Sequence, residues 1–188
     1  MASDPSTTFW GELSACEHFV QFYQDDQAFV GTLADFIADG LSAGEAVVLI
    51  ATPRHRDEVE ANLLVMGIDA TTAKAQDRFI ALDAKETMDK FLVNGWPDDI
   101  RFTAVVTEII ARAKRTGTKV RVFGEMVALM WAEGHCGATV RLEHLWTAMC
   151  QRESFPLFCA YPKAGCTENA SESMARVCAA HSRVLTAD

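Results

Sequence analysis

The chain has 188 residues, of which 49% are hydrophobic, and it carries a formal net charge of −9 at pH 7. This length suits one domain with a full core, and the acidic balance argues against surfaces for nucleic acid or anionic membranes, which need clustered Lys and Arg. No apolar run approaches the roughly 18–20 residues that span a bilayer, and the N-terminus has no signal-peptide pattern, so we expect a cytoplasmic protein.

Strand and helix patterns alternate along the first half of the chain. Residues 18–23 are aromatic and alternating, which is typical of a strand, and residues 45–52 contain a continuous apolar run that predicts a strand buried on both faces. Between them, apolar residues at helical spacing predict a helix. The predicted elements of this half are strands at 18–23, 45–52 and 78–83 and helices at 27–41, 54–66 and 85–93.

The same alternation continues in the second half. The predicted elements are helices at 99–115 and 171–185, strands at 120–123 and 155–161, and two short helical segments split by Gly134 and Gly137. Because strands that alternate with helices favour a parallel sheet with helices on both faces, we predict a single-domain α/β fold with a mainly parallel five-stranded sheet. The predicted organisation is a flexible N-terminal segment (1–16), the α/β domain (17–163) and a helical C-terminal extension (164–188).

Polar and ionisable residues follow the predicted strands. In open α/β sheets, ligands bind beyond the carboxyl ends of the strands. Glu125 is the strongest candidate there, because a Gly-Glu step directly after a buried strand puts a carboxylate on the floor of the crevice. An equal alternative is that Glu125 caps the following helix through free backbone N–H groups. The strand-end residues are Tyr23, Asp25, Asp26, Thr52, Arg54, His55, Asp83, Glu125 and Tyr161.

A phosphate-binding loop is absent from these strand ends. Such a loop needs glycines, so that backbone N–H groups can approach the phosphates, and a Lys-Ser/Thr pair. The turn after the first strand has two acids and no glycine, the turn after the second strand also lacks glycine, and GxGxxG does not occur. We therefore expect no nucleotide hydrolysis, no cofactor and no enzymatic activity.

The cysteines and histidines show no metal-ligand spacing. The 6 cysteines include no CxxC pair, whereas zinc sites usually show tight paired spacings. The nearest groups are irregular and consist of Cys16 with His18, and of His135, Cys136, His144 and Cys150. We therefore predict no metal site and no catalytic Cys-His pair, and we expect reduced cysteines that act as small buried hydrophobes.

The segment 118–146 carries the aromatic and charged residues of the expected binding site. It joins the fourth strand to two short helices and contains Trp131, Arg141, Glu143 and Trp146. Tryptophans in short, glycine-flanked helices beside a crevice line apolar pockets, and the two charged residues would orient the polar end of a ligand. The alternatives are that both tryptophans belong to the core and that the charged residues pair with neighbouring charges.

Four segments carry a family resemblance: HFVQFYQDDQAF, GLSAGEAVVLIATPRHRDEVEANL, RVFGEMVALMWAEG and ATVRLEHLW. From about 18 to 162 the chain resembles the MEDS domain, the sensory domain named for methanogens, methylotrophs and the DcmR regulator of dichloromethane metabolism. The resemblance implies a RecA-like fold of the circadian-clock type without its phosphate loop, and a cytoplasmic sensor of small molecules such as hydrocarbon derivatives. The family's recurrent positions fall here on His18, Tyr23, Gly124, Glu125, Trp131, Arg141, Glu143 and Trp146.

The leading hypothesis is a non-enzymatic sensory domain of a bacterial or archaeal signal-transduction system that binds a small, partly apolar molecule. The expected ligand-binding residues are His18, Tyr23, Glu125, Trp131, Arg141, Glu143 and Trp146. Because no output-domain pattern is present, we expect a separate histidine kinase or transcription regulator as partner, without direct nucleic-acid contact; a homodimer stays open. The alternatives are a protein-interaction module that uses the last helix, and an enzyme or a metal or redox sensor that uses Glu125 or the Cys and His residues.

Overall fold

Six parallel strands form the central sheet in the part of the chain that the structure describes. A computed structural model describes residue 10, residues 13–163 and residues 171–186. Its strands are β1 (His18–Tyr23), β2 (Ala46–Ala51), β3 (Phe79–Asp83), β4 (Leu92–Val93), β5 (Trp96–Pro97), β6 (Val120–Gly124), β7 (Leu157–Pro162) and β8 (Arg183–Thr186). The sheet has the order β3-β2-β6-β7-β1-β8 with every neighbouring pair parallel, while β4 and β5 form a separate antiparallel hairpin.

Helices cover both faces of this sheet, as predicted. They are α1 (Asp26–Ser42), α2 (Pro53–Val65), α3 (Ala70–Ala75), α4 (Ala84–Asp89), α5 (Asp99–Lys114), α6 (Met126–Ala132), α7 (Cys136–Glu153) and α8 (Ser171–Ala180). Successive side chains of a strand point to opposite faces. The face that includes Val20 packs against α4 to α8, and the face that includes Phe19 packs against α1, α2 and α3.

Polar side chains cap the starts of the first five helices. Each accepts a backbone N–H from the first turn and satisfies one of the donors that a helix start leaves free. The capping residues are Asp25, Thr52, Asp69, Asp83 and Asp98. Because three of them end or closely follow β1, β2 and β3, these caps fix where the chain turns at the carboxyl edge of the sheet.

The sheet has six strands rather than the predicted five. The helix predicted at 171–185 ends at Ala180, and β8 follows it and pairs with β1, where Val184 lies opposite Val20. The Ser182 backbone N–H also donates to the His18 carbonyl at 2.8 Å, and the His18 N–H donates to Ser182 Oγ at 2.8 Å. A short apolar pattern fits a helix or a strand equally well, so pairing with the open edge of β1 decides the outcome.

Three shorter segments also differ from the predicted pattern. The structure adds α3 and the β4–β5 hairpin, and the helix predicted at 85–93 ends at Asp89. Gly137 lies inside α7, so Gly134, with a φ of +81°, is the glycine that separates α6 from α7. A tight turn therefore joins these two helices, instead of a loop between two glycines.

The predicted terminal segments fall partly outside the described residues. Of the segment 1–16, residues 1–9, 11 and 12 lie outside them, whereas Trp10 is buried against the rings of Phe19, Phe36 and Phe158. Residues 164–170, at the start of the predicted C-terminal extension, also lie outside, and α8 beyond them packs on α7. Within the described ranges, no helix is both long enough and apolar enough to cross a membrane.

Candidate functional site

Two groups of polar side chains stand out from the apolar interior. The first, the strand-end cluster, consists of Asp26, Thr52, His55 and Glu125. The second, the buried cluster, consists of His18, Glu143, Cys159 and His181. Of the predicted site residues, Glu125 belongs to the first group with Tyr23 beside it, and His18 and Glu143 belong to the second.

Glu125 is the centre of the strand-end cluster. It follows β6, and Thr52 follows the neighbouring strand β2, so the two residues meet at the carboxyl edge of the sheet. The Thr52 backbone N–H donates to Glu125 Oε2 at 2.7 Å, and His55 Nδ1 lies 2.7 Å from Glu125 Oε1. The side chain of Glu125 makes no capping bond to α6, so the capping alternative is wrong and the carboxylate faces the strand ends.

His55 links Glu125 to a second carboxylate. Its Nδ1 faces Glu125, and its Nε2 lies 3.1 Å from Asp26 Oδ1, while Arg54 Nη2 lies 2.6 Å from Asp26 Oδ2. Burial by itself would lower the pKa of His55, but the hydrogen bonds and charges of Glu125 and Asp26 outweigh burial and raise the pKa. The result is an Asp-His-Glu chain that runs from a partly exposed acid to a buried one.

Tyr23 joins the strand-end cluster to a surface cleft. Its ring stacks on Phe29 with centroids 4.3 Å apart, and Phe29 in turn packs edge-on against His55. Burial, followed by the charges of Glu125 and Asp26, raises the pKa of Tyr23, so its hydroxyl stays protonated. The same residue lines a cleft of about 300 Å³ together with Gln24, Pro162 and Lys163.

The turn between β1 and α1 disfavours phosphate binding. A helix N-terminus attracts anions through its free backbone N–H groups. In α1 the side chain of Asp25 already accepts the N–H of Ala28 at 2.9 Å, and Asp26 occupies the first turn. Because these two carboxylates fill the site and repel further negative charge, the structure agrees with the missing phosphate loop in the sequence.

The buried cluster brings four metal-ligand side chains together inside the core. Glu143 of α7 lies with its Oε2 atom 3.4 Å from His18 Nε2 and 3.4 Å from His181 Nε2. His18 Nε2 also lies 3.5 Å from Cys159 Sγ, and the ligand atoms of all four residues lie within 4.8 Å of one another. The glutamate and both histidine side chains are between 0% and 3% exposed.

Outer hydrogen bonds orient both imidazole rings of the buried cluster. His181 Nδ1 donates to the Val177 carbonyl at 2.6 Å, and His18 Nδ1 lies 3.2 Å from Thr147 Oγ1. Thr147 uses its own proton on a helix carbonyl, so it accepts from His18. These partners place a proton on Nδ1 in both rings, so that both Nε2 atoms face Glu143.

The carboxylate of Glu143 keeps its charge in this interior. Burial alone would raise its pKa, but His181, His18 and the Tyr161 hydroxyl, which donates to Oε1, hold the pKa below its ordinary value. Burial lowers the pKa of His181 although the charge of Glu143 opposes this shift. Burial and the charge of Glu143 raise the pKa of Cys159.

Trp131 and Trp146 lie in the hydrophobic core. The ring of Trp131 lies 5.8 Å from that of Tyr161, and the ring of Trp146 lies 5.1 Å from that of Phe102, measured between centroids. Gly124 makes room for Trp146, since a Cβ at this glycine would come within 3.3 Å of the indole. Both tryptophans therefore belong to the hydrophobic core, which was the alternative to their lining a ligand pocket.

Arg141 lies at the surface. It pairs with Asp99 at the start of α5 and lines a second cleft, of about 540 Å³, with Trp96 and Ile100. This cleft and the cleft beside Tyr23 have no lining residue in common. The four predicted residues of the segment 118–146 therefore do not form one wall of a site. Glu143 belongs to the buried cluster, both tryptophans belong to the core, and Arg141 lies at the surface.

No spacing pattern in the sequence points to Cys159 or His181. Cys159 follows His18 by 141 residues, and only the pairing of β7 with β1 brings the two together. The irregular groups considered from spacing contribute one residue, His18, to the buried cluster. His55 carried a signal, because it follows a predicted strand, but its link to Glu125 depends on the order of the sheet.

Comparisons with known proteins define first the class of fold and then the family. A KaiC-like protein from the hyperthermophilic archaeon Pyrococcus horikoshii superimposes with a TM-score of 0.60 at 11% identity, over 92% of this chain and 72% of that one. At this identity the similarity concerns the fold, a KaiC-like α/β architecture. A search among curated proteins finds no match.

The sequence itself identifies the family. The family model of the MEDS domain, described as the methanogen/methylotroph, DcmR sensory domain, matches residues 17–181. The chain therefore belongs to the MEDS family, as the resemblance predicted, and its membership indicates a sensory role. The match includes His18 and His181, so both histidines of the buried cluster lie inside the family domain.

Proposed function

We propose that this chain is a non-enzymatic sensory domain whose strand-end cluster binds a small, partly apolar molecule. The observation that carries the proposal is the buried carboxylate of Glu125, held by Thr52 and His55 at the carboxyl edge of the sheet. Ligands of open α/β sheets bind at this edge. Membership of a sensory family supports the class of function.

The chemistry of this edge favours an uncharged ligand with a hydrogen-bond donor. Asp25, Asp26 and Glu125 outnumber the cations Arg54 and Lys163 here, which disfavours phosphates and carboxylates. A carboxylate has about four lone-pair sites, so Glu125 can accept a donor beyond Thr52 and His55. The ring of Tyr23 and Pro162 supply apolar walls, and a cleft of about 300 Å³ suits a small molecule such as a short alcohol.

The Asp26–His55–Glu125 chain would carry the signal away from the ligand. It connects the start of α1, the first turn of α2 and the end of β6, so a donor that competes for Glu125 would change how these elements are held. A sensor needs different ligand affinities in two states of the protein. We propose that the altered surface is recognised by a separate histidine kinase or regulator.

Ligand titration with matched variants tests the site. Calorimetry with short alcohols, aldehydes and halocarbons is expected to give saturable binding to the wild-type chain, and ATP is expected to give none. Tyr23→Ala should weaken binding roughly 10-fold, because burying about two ligand methylene groups against this ring contributes about 1.6 kcal/mol. Glu125→Gln should weaken binding of the alcohols more than that of the halocarbons, which donate no hydrogen bond.

Two variants of the second cleft serve as controls. Trp96→Ala and Arg141→Ala change side chains that line the cleft of about 540 Å³ and leave Tyr23 and Glu125 in place. Both should bind like the wild type. If they abolished binding while Tyr23→Ala did not, the ligand would lie in the second cleft and the proposed site would be wrong. Tight binding of ATP would contradict the proposed ligand class.

A further inference from the structure

We propose that His18, Glu143, Cys159 and His181 bind one divalent transition-metal ion, with zinc as the best fit, through four protein ligands. This inference does not depend on the strand-end ligand, because the two clusters share no residue. It also departs from the sequence-based expectation of no metal site.

Three distances within the buried cluster match a tetrahedral site. Ligand atoms about 2.0–2.3 Å from a tetrahedral zinc ion lie about 3.3–3.8 Å from one another. Glu143 Oε2 lies 3.4 Å from each of the two histidine Nε2 atoms, and His18 Nε2 lies 3.5 Å from Cys159 Sγ. The remaining distances lie within 4.8 Å, so side-chain shifts of up to about 1 Å would close the four atoms around one ion.

Unpartnered lone pairs point to a cation at this place. Glu143 Oε2 and His181 Nε2 are buried atoms without a hydrogen-bond partner among the described residues. Each ring makes an outer hydrogen bond through Nδ1, and its Nε2 atom lies 3.4 Å from the unpartnered Oε2 atom of Glu143. Such a group of buried acceptors is costly by itself, and a shared cation satisfies all of them.

The surrounding hydrogen bonds are those of a prepared metal site. Metal-binding histidines typically donate their other ring N–H to a carbonyl or a similar acceptor, and ligating carboxylates are held in turn. Here Val177 and Thr147 accept from the two rings, and the Tyr161 hydroxyl donates to Glu143 Oε1. The free oxygen of Glu143 is thereby turned toward the two histidines.

The ligand set selects the kind of metal. Two imidazoles, one carboxylate and one thiolate suit zinc or a similar transition metal, whereas Mg²⁺ and Ca²⁺ prefer oxygen ligands alone. With neutral histidines, the carboxylate and the thiolate carry two negative charges, which balance a divalent ion. Binding replaces the S–H bond of Cys159 by a metal–sulfur bond and releases that proton to solvent.

A metal here would hold the C-terminal segment on the domain. The four ligands come from β1, α7, β7 and the residue that follows α8, and β8 starts two residues later. Four protein ligands and near-complete burial are typical of a closed, structural site with no open position for substrate. The ion would therefore fix α8 and β8 against the sheet.

Metal analysis of the full chain tests the proposal. Protein expressed in zinc-supplemented medium and purified without a metal-affinity step should contain about one zinc per chain by native mass spectrometry and elemental analysis. Cys159→Ser and His181→Ala should lower the affinity for zinc at least ~100-fold, since loss of a ligand exceeds the 10–100-fold cost of losing a residue that only hydrogen-bonds to a ligand. The matched controls are Cys136→Ser and His144→Ala, which keep all four ligands and should retain the metal.

Cobalt gives a readout that does not depend on how stable the variants are. Wild-type chain refolded with Co²⁺ should show the visible absorption of a tetrahedral site and a near-ultraviolet thiolate-to-cobalt band. Cys159→Ser should lose the thiolate band, and if this variant does not fold, the wild-type spectrum still decides. Absence of zinc from the purified wild type together with absence of both bands after refolding would overturn the proposal, as would metal retained equally by the ligand variants.

Discussion

The two polar clusters of this protein both place histidine against glutamate, yet they differ in how their hydrogen bonds are satisfied. In the strand-end cluster, Glu125 accepts from the Thr52 N–H and from His55, and the second nitrogen of His55 faces Asp26. In the buried cluster, Glu143 Oε2 lies 3.4 Å from two imidazole Nε2 atoms and has no hydrogen-bond partner among the described residues. Hydrogen bonds therefore satisfy the side chains of the first cluster, whereas the second contains unpartnered atoms that are placed to bind an ion.

Exposure explains part of this difference. Asp26 is 32% exposed, so solvent and Arg54 can share its charge, and the strand-end chain tolerates changes in protonation. Glu143 is fully buried, and a buried charge needs partners that stay in place. A cluster that exchanges protons near solvent suits reversible ligand binding, whereas a dry cluster suits a permanent partner. The predictions below test this contrast, from the largest expected effect to the smallest.

Removing the carboxylate of the buried cluster should have the largest effect. Glu143→Ala removes one ligand of the proposed ion and leaves the buried Tyr161 hydroxyl without its acceptor, and removing one partner of a buried ionic group costs about 3–5 kcal/mol. The free energy of unfolding, measured by urea denaturation, should fall by this amount. Glu133→Ala, at an exposed position after α6, should change it little. A loss below about 1 kcal/mol for Glu143→Ala would contradict the proposed difference between the buried cluster and the strand-end cluster.

The strand-end carboxylate should matter less. Glu125→Ala leaves the Thr52 N–H and one His55 nitrogen without an acceptor, which costs about 1–3 kcal/mol for each buried group left unpaired, reduced here by water that can reach Asp26. Glu125→Gln keeps an acceptor for Thr52 and should be the milder change. Urea denaturation of both variants and of Glu143→Ala under the same conditions ranks their losses in the free energy of unfolding. Equal or greater loss for Glu125→Ala would reverse the comparison.

The protonation of His55 should appear in the pH dependence of stability. Its pKa is raised above 6.5 in the folded chain, so its contribution is complete below pH 6.5 and is lost as pH rises through the folded-state pKa. The stability difference between wild type and His55→Gln should therefore shrink from pH 6 toward alkaline pH. Denaturation at several pH values measures it. A difference that grows with rising pH would mean that His55 is neutral in the folded chain.

The smallest effect is expected at the exposed end of the strand-end chain. Arg54 pairs with Asp26 and Glu58, but its side chain is 66% exposed, and exposed ion pairs contribute little. Arg54→Ala should leave the midpoint of urea denaturation unchanged within error. A large loss of stability would show that this pair is screened from water.

Local pattern was enough to predict the general architecture. The alternation of apolar runs with amphipathic helices predicts an α/β fold with a parallel sheet, and the glycine-free turn after β1 predicts the missing phosphate loop. Glu125 could be selected because its position depends on one strand and the step that follows it. These features are local, so the sequence of a few neighbouring residues contains the information that determines them.

Tertiary structure decided what depends on distant parts of the chain. The pairing of β8 with β1 turned the end of a predicted helix into a sixth strand and placed His181 beside His18. The pairing of β7 with β1 brought in Cys159, and the packing of α7 on the same face brought in Glu143. The packing of α6 and α7 also buried Trp131 and Trp146 and left Arg141 at the surface. Parallel strands that are neighbours in a sheet come from remote segments, so residue spacing in the sequence does not predict which side chains meet across them.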